Sequence, residues 1–411
     1  MTALASQPGA SNKSARPVHS LRILAIINLP WDARLGAARV WIELSKEWEK
    51  AGHQVDRFCL TDAFPKNRNS RLGSALRQIL FPMKAAAYVR RNRGRFDVID
   101  SLIGCLTTSK ASLAFEGLLV ARSVGLYRLY DKFLERSRSL WSPQPKGRWF
   151  GPILHKFLAW RARKDSDKSV RCCDLLNVPN EEERRELDTD PQVLAPIIVE
   201  PYGLTREFRS ALAATAAAAA TRLAEQTICF IGMWTPRKGS LDWPRIMELI
   251  RRRQPTAKFV FLGTMFEDMV VRADVGPEKE VVCHRNFTED ELPSLLSRCT
   301  VGLFPSYIEG FGLAVLEQLA AGLPVIAYDV PGPHHILQPI RASLLVPAGD
   351  IAALSARAAD ILELDTESYK KLSKDCVTLG QSYCWEEIAK QTITQYQLAL
   401  DSLSPVTKAD D

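Results

Sequence analysis

The stretch PSYIEGFGLAVLEQLAAGLPVIAY, residues 305–328, decides how this chain folds. A strand-like end runs into a glycine loop, and an apolar helix follows that carries one carboxylate, Glu317. Such a carboxylate is costly to bury unless hydrogen-bond donors receive it. Gly310 and Gly312 let backbone N–H groups approach a ligand closely at the helix start. We therefore expect an anionic, hydroxyl-rich ligand here, a description that a sugar nucleotide fits.

Composition indicates a globular protein with room for two domains. The chain has 411 residues, of which 46% are hydrophobic and 25% charged. Its apolar runs fall short of the ~18 residues needed to span a bilayer. The Ser/Pro/Ala-rich residues 1–20 lack the apolar core of a signal peptide and predict a disordered tail. Nine scattered cysteines without zinc-type spacing predict a cytoplasmic protein without disulfides.

The net charge of +7 is unevenly placed along the chain. Residues 66–95 contain many Lys and Arg, interleaved with apolar residues, and no Asp or Glu. One interpretation is peripheral contact with the inner membrane face through anionic lipid. A solvated loop and helix face explains the same charges. A nucleic-acid partner is disfavoured, because no recognition motif accompanies the charge.

Strand-like apolar runs alternate with helix-length segments in both halves of the chain, which predicts parallel α/β units. The runs are 21–29, 54–60, 97–103, 118–124, 174–178 and 196–201, then 228–233, 258–263, 281–287, 301–305, 324–330 and 343–347. This rhythm predicts an α/β protein with two Rossmann-like doubly wound domains facing a central cleft. Ligands of such sheets bind beyond the carboxyl ends of the strands.

The domain boundaries follow from the same pattern. We expect an N-terminal Rossmann-like domain over 21–205, an Ala-rich linker over 206–225 and a C-terminal Rossmann-like domain over 226–380. Apolar residues at helical spacing over 381–403 predict a closing helix that packs back toward the N-terminal domain.

The motif residues resemble a known family. Glu309 to Glu317 resembles the EX7E signature of retaining glycosyltransferases of family GT4. Residues 320–326 and 344–347 match the same pattern, as does Gly232 followed by the Pro-Arg-Lys-Gly turn at 236–239. The resemblance is dense from about residue 228 to 350 and thin before it. It implies the GT-B fold, with the nucleotide-sugar in the C-terminal domain and the acceptor in the N-terminal one.

The resemblance assigns the two glutamates. Glu317 would accept hydrogen bonds from both ribose hydroxyls of the donor, a task that suits the two oxygens of a carboxylate. Glu309 would be catalytic and face the donor sugar or the charge that develops at the reacting carbon. The alternatives are an exposed helix glutamate for Glu317, and for Glu309 an acid that complements the helix macrodipole.

Phosphate ligands are expected from two loops. The amides of Phe311, Gly312 and Leu313, with Gly310 beside them, would bind phosphate oxygens at the helix N-terminus. The glycines could instead be turn residues.

Arg237 and Lys238 would be catalytic, because cations stabilise a departing diphosphate. They would replace a metal, since no Asp-x-Asp motif appears where one would be expected. A solvated turn is the alternative for this pair.

Two weaker assignments complete the donor site. Asn286, at the end of a predicted strand, would lie near the nucleobase. Gly36 is the one glycine in the first-domain loop that touches donor phosphate in the family, and Arg34 and Arg39 could compensate for the missing glycines.

The sequence also departs from the family at two positions. Met233 stands where an arginine usually follows the glycine, and Val124 where many members carry histidine. Our main hypothesis is a metal-independent retaining transferase of hexose-type sugars in polysaccharide or glycolipid assembly, with a nucleoside-diphosphate sugar as substrate and no tightly bound cofactor. A sugar-nucleotide-binding pseudoenzyme or scaffold is the second hypothesis, and an epimerase of the same fold is the third.

Overall fold

The computed structural model describes residues 20–65, 71–137, 151–276, 281–340 and 344–403. Residues 1–19 of the predicted tail lie outside the described residues. So do the start of the basic segment, 66–70, and the chain end after residue 403.

Two parallel six-stranded sheets form the frame of the described chain. The N-terminal sheet contains β1 (Arg22–Ile26), β2 (Gln54–Phe58), β3 (Val98–Leu102), β4 (Leu118–Arg122), β5 (Leu175–Val178) and β6 (Ile197–Val199), in the order β2-β1-β3-β4-β5-β6. The C-terminal sheet contains β7 (Thr227–Ile231), β8 (Lys258–Leu262), β9 (Val281–His284), β10 (Val301–Phe304), β11 (Val325–Tyr328) and β12 (Leu345–Val346), in the order β12-β11-β10-β7-β8-β9. Each predicted strand is present, and the α/β prediction is confirmed.

Helices cover the faces of both sheets. In the N-terminal half they are α1 (Gly36–Lys50), α2 (Leu60–Ala63), α3 (Arg71–Asn92), α4 (Lys110–Leu113), α5 (Tyr127–Ser137), α6 (Gly151–Cys172) and α7 (Glu181–Asp188). Further along are α8 (Arg206–Ala214), α9 (Ala219–Glu225), α10 (Trp243–Arg253), α11 (Asp268–Val275), α12 (Leu292–Leu296) and α13 (Leu313–Ala320). The last are α14 (Pro333–Leu337), α15 (Ile351–Leu362), α16 (Thr366–Gln381) and α17 (Trp385–Leu403).

Strand order assigns the helices to faces. Parallel crossovers are right-handed, so the step from β1 to β2 and the step from β2 past β1 to β3 place α1 and α3 on opposite faces. The crossovers from β3 to β4 and from β4 to β5 run in the same direction as the one from β2 to β3. Helices α4 and α6 therefore lie on the same face as α3, which contacts both. Helix α17 packs on the other face, against α1.

A buried polar cluster joins α17 to the centre of the N-terminal sheet. The Arg122 guanidinium donates to Asp100 at 3.0 Å and to the Tyr396 hydroxyl at 2.9 Å, and Tyr396 donates to Asp100. Thr392 of α17 donates to Glu200 at 2.7 Å. These side chains are buried, so each needs the others to satisfy its charge or polar atoms.

The Ala-rich segment predicted as a linker is helical and packed. It forms α8, a 3-10 turn at Thr215–Ala218 and α9, which contact α13 and α16 of the C-terminal domain. The buried Arg222 donates to the carbonyl of Ala321 at 2.8 Å. Small alanine side chains let this segment approach closely: a Cβ on Gly322 would lie 3.0 Å from the Ala216 methyl.

Candidate functional site

The Glu309 loop, residues 305–312, and the basic loop, residues 236–239, are joined at the carboxyl ends of adjacent strands β10 and β7. The Tyr307 amide donates to the Arg237 carbonyl at 3.0 Å. A Cβ on Gly239 would lie 2.3 Å from the Pro305 carbonyl oxygen, so only glycine allows this approach. The two loops therefore form one unit at the edge of the sheet where ligands bind.

Within this unit, Lys238 and Glu309 form an ion pair. The Lys238 side chain is 15% exposed and that of Glu309 9%. Burial lowers the pKa of Lys238, and the neighbouring Glu309 carboxylate opposes that fall. The structure thus brings together two residues predicted to be catalytic, in a place with little water.

The other predicted cation, Arg237, faces the N-terminal domain. Its Nη1 donates to the Tyr130 hydroxyl of α5 at 3.2 Å, and its guanidinium lies 5.6 Å from the Tyr130 ring centroid. Burial raises the pKa of Tyr130, and the Arg237 charge opposes that rise. Tyr130 gives no signal in the sequence, because its contact joins residues far apart in the chain.

Glu317 lies buried in α13, as its apolar surroundings predict. Its Oε1 accepts a hydrogen bond from Arg39 Nη1 of the N-terminal domain at 2.8 Å. Burial raises the pKa of Glu317, and the Arg39 charge opposes that rise. Arg39, proposed from the sequence as a phosphate ligand, therefore contacts the predicted ribose carboxylate.

Gly310 is required by the contact between domains. A Cβ at this position would lie 2.3 Å from the Val124 carbonyl oxygen. The Gly310 carbonyl accepts a hydrogen bond from the side chain of Asn180, which also caps α7. Val124, one of the two departures from the family, thus lies directly against the Glu309 loop. Asn180 is a site neighbour that sequence reasoning missed.

The remaining loop residues set the start of α13. Gly312 has a φ of 95°, a left-handed conformation that favours glycine. The Phe311 ring is buried and packs 5.1 Å from the Tyr202 ring and 5.9 Å from that of Tyr383. These contacts fix the position of the loop. Phosphate binding by the amides of Phe311, Gly312 and Leu313 stays a prediction.

Two residues predicted to bind the donor nucleotide lie farther from the Glu309 loop. Gly36 is the first residue of α1, one turn before Arg39, with open space beside its Cα. Asn286 is exposed beyond β9, the edge strand that is separated from β7 by β8. Met233, the other departure, is 43% exposed after β7. The roles assigned to Gly36 and Asn286 stay predictions.

Two features are absent from the described ranges. They contain no group of three or more His, Cys, Asp or Glu side chains placed to hold a metal ion. Their helices include none that is both long and apolar enough to cross a membrane.

Residues 216–376 match the family described as glycosyl transferases group 1. This range takes in most of the C-terminal domain, which is therefore similar to group 1 glycosyl transferase domains. This match confirms the resemblance inferred from the motif loops and covers both of them. The roles of Glu309 and Glu317 within the motif stay predictions.

Curated relatives align over parts of the chain that differ in length. An O-antigen chain mannosyltransferase B of Escherichia coli is 26% identical over 175 residues, 41% of this chain and 45% of that protein. A D-inositol 3-phosphate glycosyltransferase of Paenarthrobacter aurescens is 28% identical over 184 residues, 43% and 45% of the two chains. An MMP alpha-(1->4)-mannosyltransferase of Mycolicibacterium hassiacum is 23% identical over 78% of this chain and 75% of its own. The first two alignments thus span about half of each relative.

Solved structures share the whole fold. A sucrose-phosphate synthase of Thermosynechococcus elongatus superposes with a TM-score of 0.69 at 18% identity, covering 93% of this chain and 100% of its own. The Anabaena protein HepE, solved in complex with UDP and glucose, gives 0.62 at 14% identity and covers 92% and 99%. The prediction of a GT-B fold is confirmed.

Proposed function

We propose that this chain is a retaining glycosyltransferase that moves a hexose-type sugar from a nucleoside diphosphate to an acceptor hydroxyl. One observation carries the proposal: a buried Lys238–Glu309 pair sits beside Arg237 at the carboxyl edge of the C-terminal sheet. The group 1 family match and the names of its relatives support the same reaction class.

Each charged side chain has a task in this reaction. Glu317 accepts the vicinal ribose hydroxyls of the donor with its two oxygens. Lys238 and Arg237 neutralise the negative charge that grows on the departing diphosphate, in a site where burial strengthens electrostatic interactions. Glu309 orients the Lys238 ammonium and faces the positive charge that develops at the anomeric carbon.

The proposed reaction forms no covalent enzyme intermediate. The bond between the anomeric carbon and the diphosphate oxygen breaks as the acceptor oxygen attacks from the same face. The acceptor proton passes to the departing diphosphate. We propose that the reaction needs no metal, because Arg237 and Lys238 can supply the positive charge that stabilises a departing diphosphate.

The acceptor belongs to polysaccharide or glycolipid assembly in this proposal, as the O-antigen relative suggests. It would bind against the N-terminal domain, whose α5 meets the basic loop through Tyr130. A pseudoenzyme or scaffold remains the rival interpretation because of Met233 and Val124, but no relative named above supports it.

The surface of α3 and α6 suggests a membrane partner. Leu76 and Met83 on α3 are 55% and 66% exposed, and Phe157 and Trp160 on the neighbouring α6 are 47% and 50% exposed. Exposed Lys and Arg side chains, such as Lys84 and Lys164, accompany them. We propose that this surface, the α3–α6 face, rests on anionic lipid and brings a lipid-linked acceptor to the cleft.

The test is a Glu317→Ala variant of the full chain. Nucleoside diphosphates and their sugars are screened by thermal shift, and then the affinity and the release of diphosphate are measured. We expect the variant to lose roughly 100-fold or more in turnover efficiency, because the two ribose hydroxyls lose their hydrogen-bond acceptor in a buried site.

Glu367→Ala is the matched control, since Glu367 is 82% exposed and pairs with Lys370 on the surface. Unchanged affinity and turnover in Glu317→Ala would overturn the proposal. Binding by the wild-type protein without diphosphate release, in the presence of acceptor, would favour the scaffold. An isomerised donor without acceptor would indicate an epimerase.

A further inference from the structure

Arg39 of α1 forms ion pairs with two carboxylates of the other domain. Its Nη1 donates to Glu317 at 2.8 Å, and its Nη2 pairs with Glu289. The guanidinium also lies 5.6 Å from the ring centroid of Phe208 in α8. With 16% of its side chain exposed, Arg39 is largely withdrawn from water.

This geometry conflicts with donor binding as proposed above. A vicinal diol bound by a carboxylate takes hydrogen bonds from two hydroxyls on both oxygens. The Arg39 guanidinium already occupies Oε1 of Glu317, and it brings a bulky planar group to the same place. A carboxylate oxygen can accept a second hydrogen bond, but the guanidinium plane fills the space beside Oε1 of Glu317 that a ribose hydroxyl would need.

We infer that Arg39 is an intramolecular competitor of the donor nucleotide for Glu317, and that Glu289 holds Arg39 when the ribose takes its place. The inference rests on the proposed role of Glu317 in donor binding. It adds a residue from the N-terminal domain that sets how tightly the nucleotide binds.

The exposure of the two glutamates explains why Glu289 is the residue that keeps Arg39. The Glu317 side chain is 8% exposed, so water cannot replace Arg39 there, and a ligand with two hydroxyls can. The Glu289 side chain is 40% exposed and stands on the loop after β9, where water reaches the pair. Because an arginine stays charged, leaving it buried without a carboxylate would be costly. Glu289 removes that cost.

The competition has a consequence for the cleft. The Arg39–Glu317 pair links α1 of one domain to α13 of the other, so nucleotide binding exchanges a contact between domains for a contact with ligand. A molecule can bind nucleotide only after Arg39 has left Glu317. The apparent affinity is therefore the intrinsic affinity multiplied by the fraction of molecules in which Arg39 has left.

Two substitutions test the inference: one replaces Arg39 and the other replaces its second partner, Glu289. Titration of the full chain with a nucleoside diphosphate should give a dissociation constant about tenfold lower for Arg39→Gln, because the competitor is gone. Glu289→Gln should raise the dissociation constant, because Arg39 then has Glu317 as its remaining carboxylate. Arg298→Gln, which removes an exposed pair with Glu225, should match the wild type.

The outcomes separate this inference from the proposed function. If Glu317→Ala weakens binding but Arg39→Gln leaves it unchanged or weaker, the competition is overturned while Glu317 keeps its role. Weaker binding in Arg39→Gln would instead make Arg39 a phosphate ligand. If Glu317→Ala binds normally, the donor assignment itself fails. The Arg39→Gln/Glu317→Ala double variant should lose the tenfold gain, and cooperative thermal unfolding of each variant confirms that it is folded.

Discussion

At the scale of single residues, the sequence predicts the cost of burying Glu317 but not the partner that offsets it. A carboxylate in an apolar helix implies a hydrogen-bond donor beside it, and α13 is buried as that pattern requires. The side chain that donates is Arg39, which lies 278 residues away in the chain, and nothing local in α1 indicates where it points. Its pairing depends on how the two domains face each other, which is a property of the folded chain.

Glu183 of α7 is a second buried carboxyl, and it makes stability depend on pH. Burial raises its pKa to about 8, against the hydrogen bond that Ser123 donates to it. In the unfolded chain the same group ionises near its ordinary value of 4.5. Between these two values the folded state therefore holds a proton that the unfolded state has lost, and the free energy of unfolding falls as pH rises.

We predict that Glu183→Gln removes this dependence. The group contributes a slope of about −1.4 kcal/mol per pH unit between roughly pH 5 and 8, which a neutral amide of similar shape cannot show. Urea unfolding of both proteins at several pH values in this range measures the difference. Glu181→Gln, a change at a half-exposed side chain on the same helix, should run parallel to the wild type. Parallel curves for Glu183→Gln would show that the carboxyl is ionised in the fold.

At the scale of elements, the order strand, glycine loop and helix over residues 305–328 can be read from the sequence. The strand ends at Phe304 and α13 begins at Leu313, because Gly312 supplies the left-handed residue that precedes the helix. The reason for Gly310 is different from the one that the sequence suggests. Its missing side chain makes room for the Val124 carbonyl of the other domain.

A Gly310→Ala variant should therefore separate the domains at the site. The added methyl would lie 2.3 Å from the Val124 oxygen and 2.8 Å from its carbon, so the loop or the domain has to move. A displacement of about 1 Å in a catalytic site costs on the order of 100-fold in rate. Steady-state turnover with a donor sugar and acceptor measures this loss.

Gly94→Ala is the control for that substitution, because apart from its chain neighbours no atom of the described residues lies within 4 Å of the position of its Cβ. It should keep wild-type turnover. Equal turnover for Gly310→Ala would mean that the contact between domains has no part in the reaction.

At the scale of the whole molecule, alternation of strands and helices suffices to predict both sheets, because their inner strands are buried on both faces and leave apolar runs. The contacts that join the domains are not predictable in the same way. They include single polar pairs, such as Arg237–Tyr130 and Asn180–Gly310, whose members carry no shared sequence pattern. The periodicity of α17 indicates a helix, whereas its hydrogen bond from Tyr396 to Asp100 depends on tertiary packing.

The α3–α6 face yields a prediction for the whole molecule. Right-handed crossovers place both helices on one side of the N-terminal sheet, with their N-terminal ends toward the carboxyl edges of the strands. Leu76, Phe157 and Trp160 stand in the N-terminal halves of these helices, and so on the cleft side. A bilayer touching this face would hold a lipid-linked acceptor near the basic loop.

We predict that the full chain cosediments with vesicles that contain anionic phosphatidylglycerol and much less with neutral phosphatidylcholine, because each basic side chain near an anionic surface adds about 1 kcal/mol. A Leu76→Glu/Met83→Glu double variant should reduce the bound fraction roughly fivefold, since it removes apolar contacts and adds repulsion. Leu194→Glu changes a side chain that is 89% exposed elsewhere, and it should bind like the wild type. Equal binding to both lipids, or no loss in the double variant, would mean that the α3–α6 face is a solvated surface and does not bind membranes.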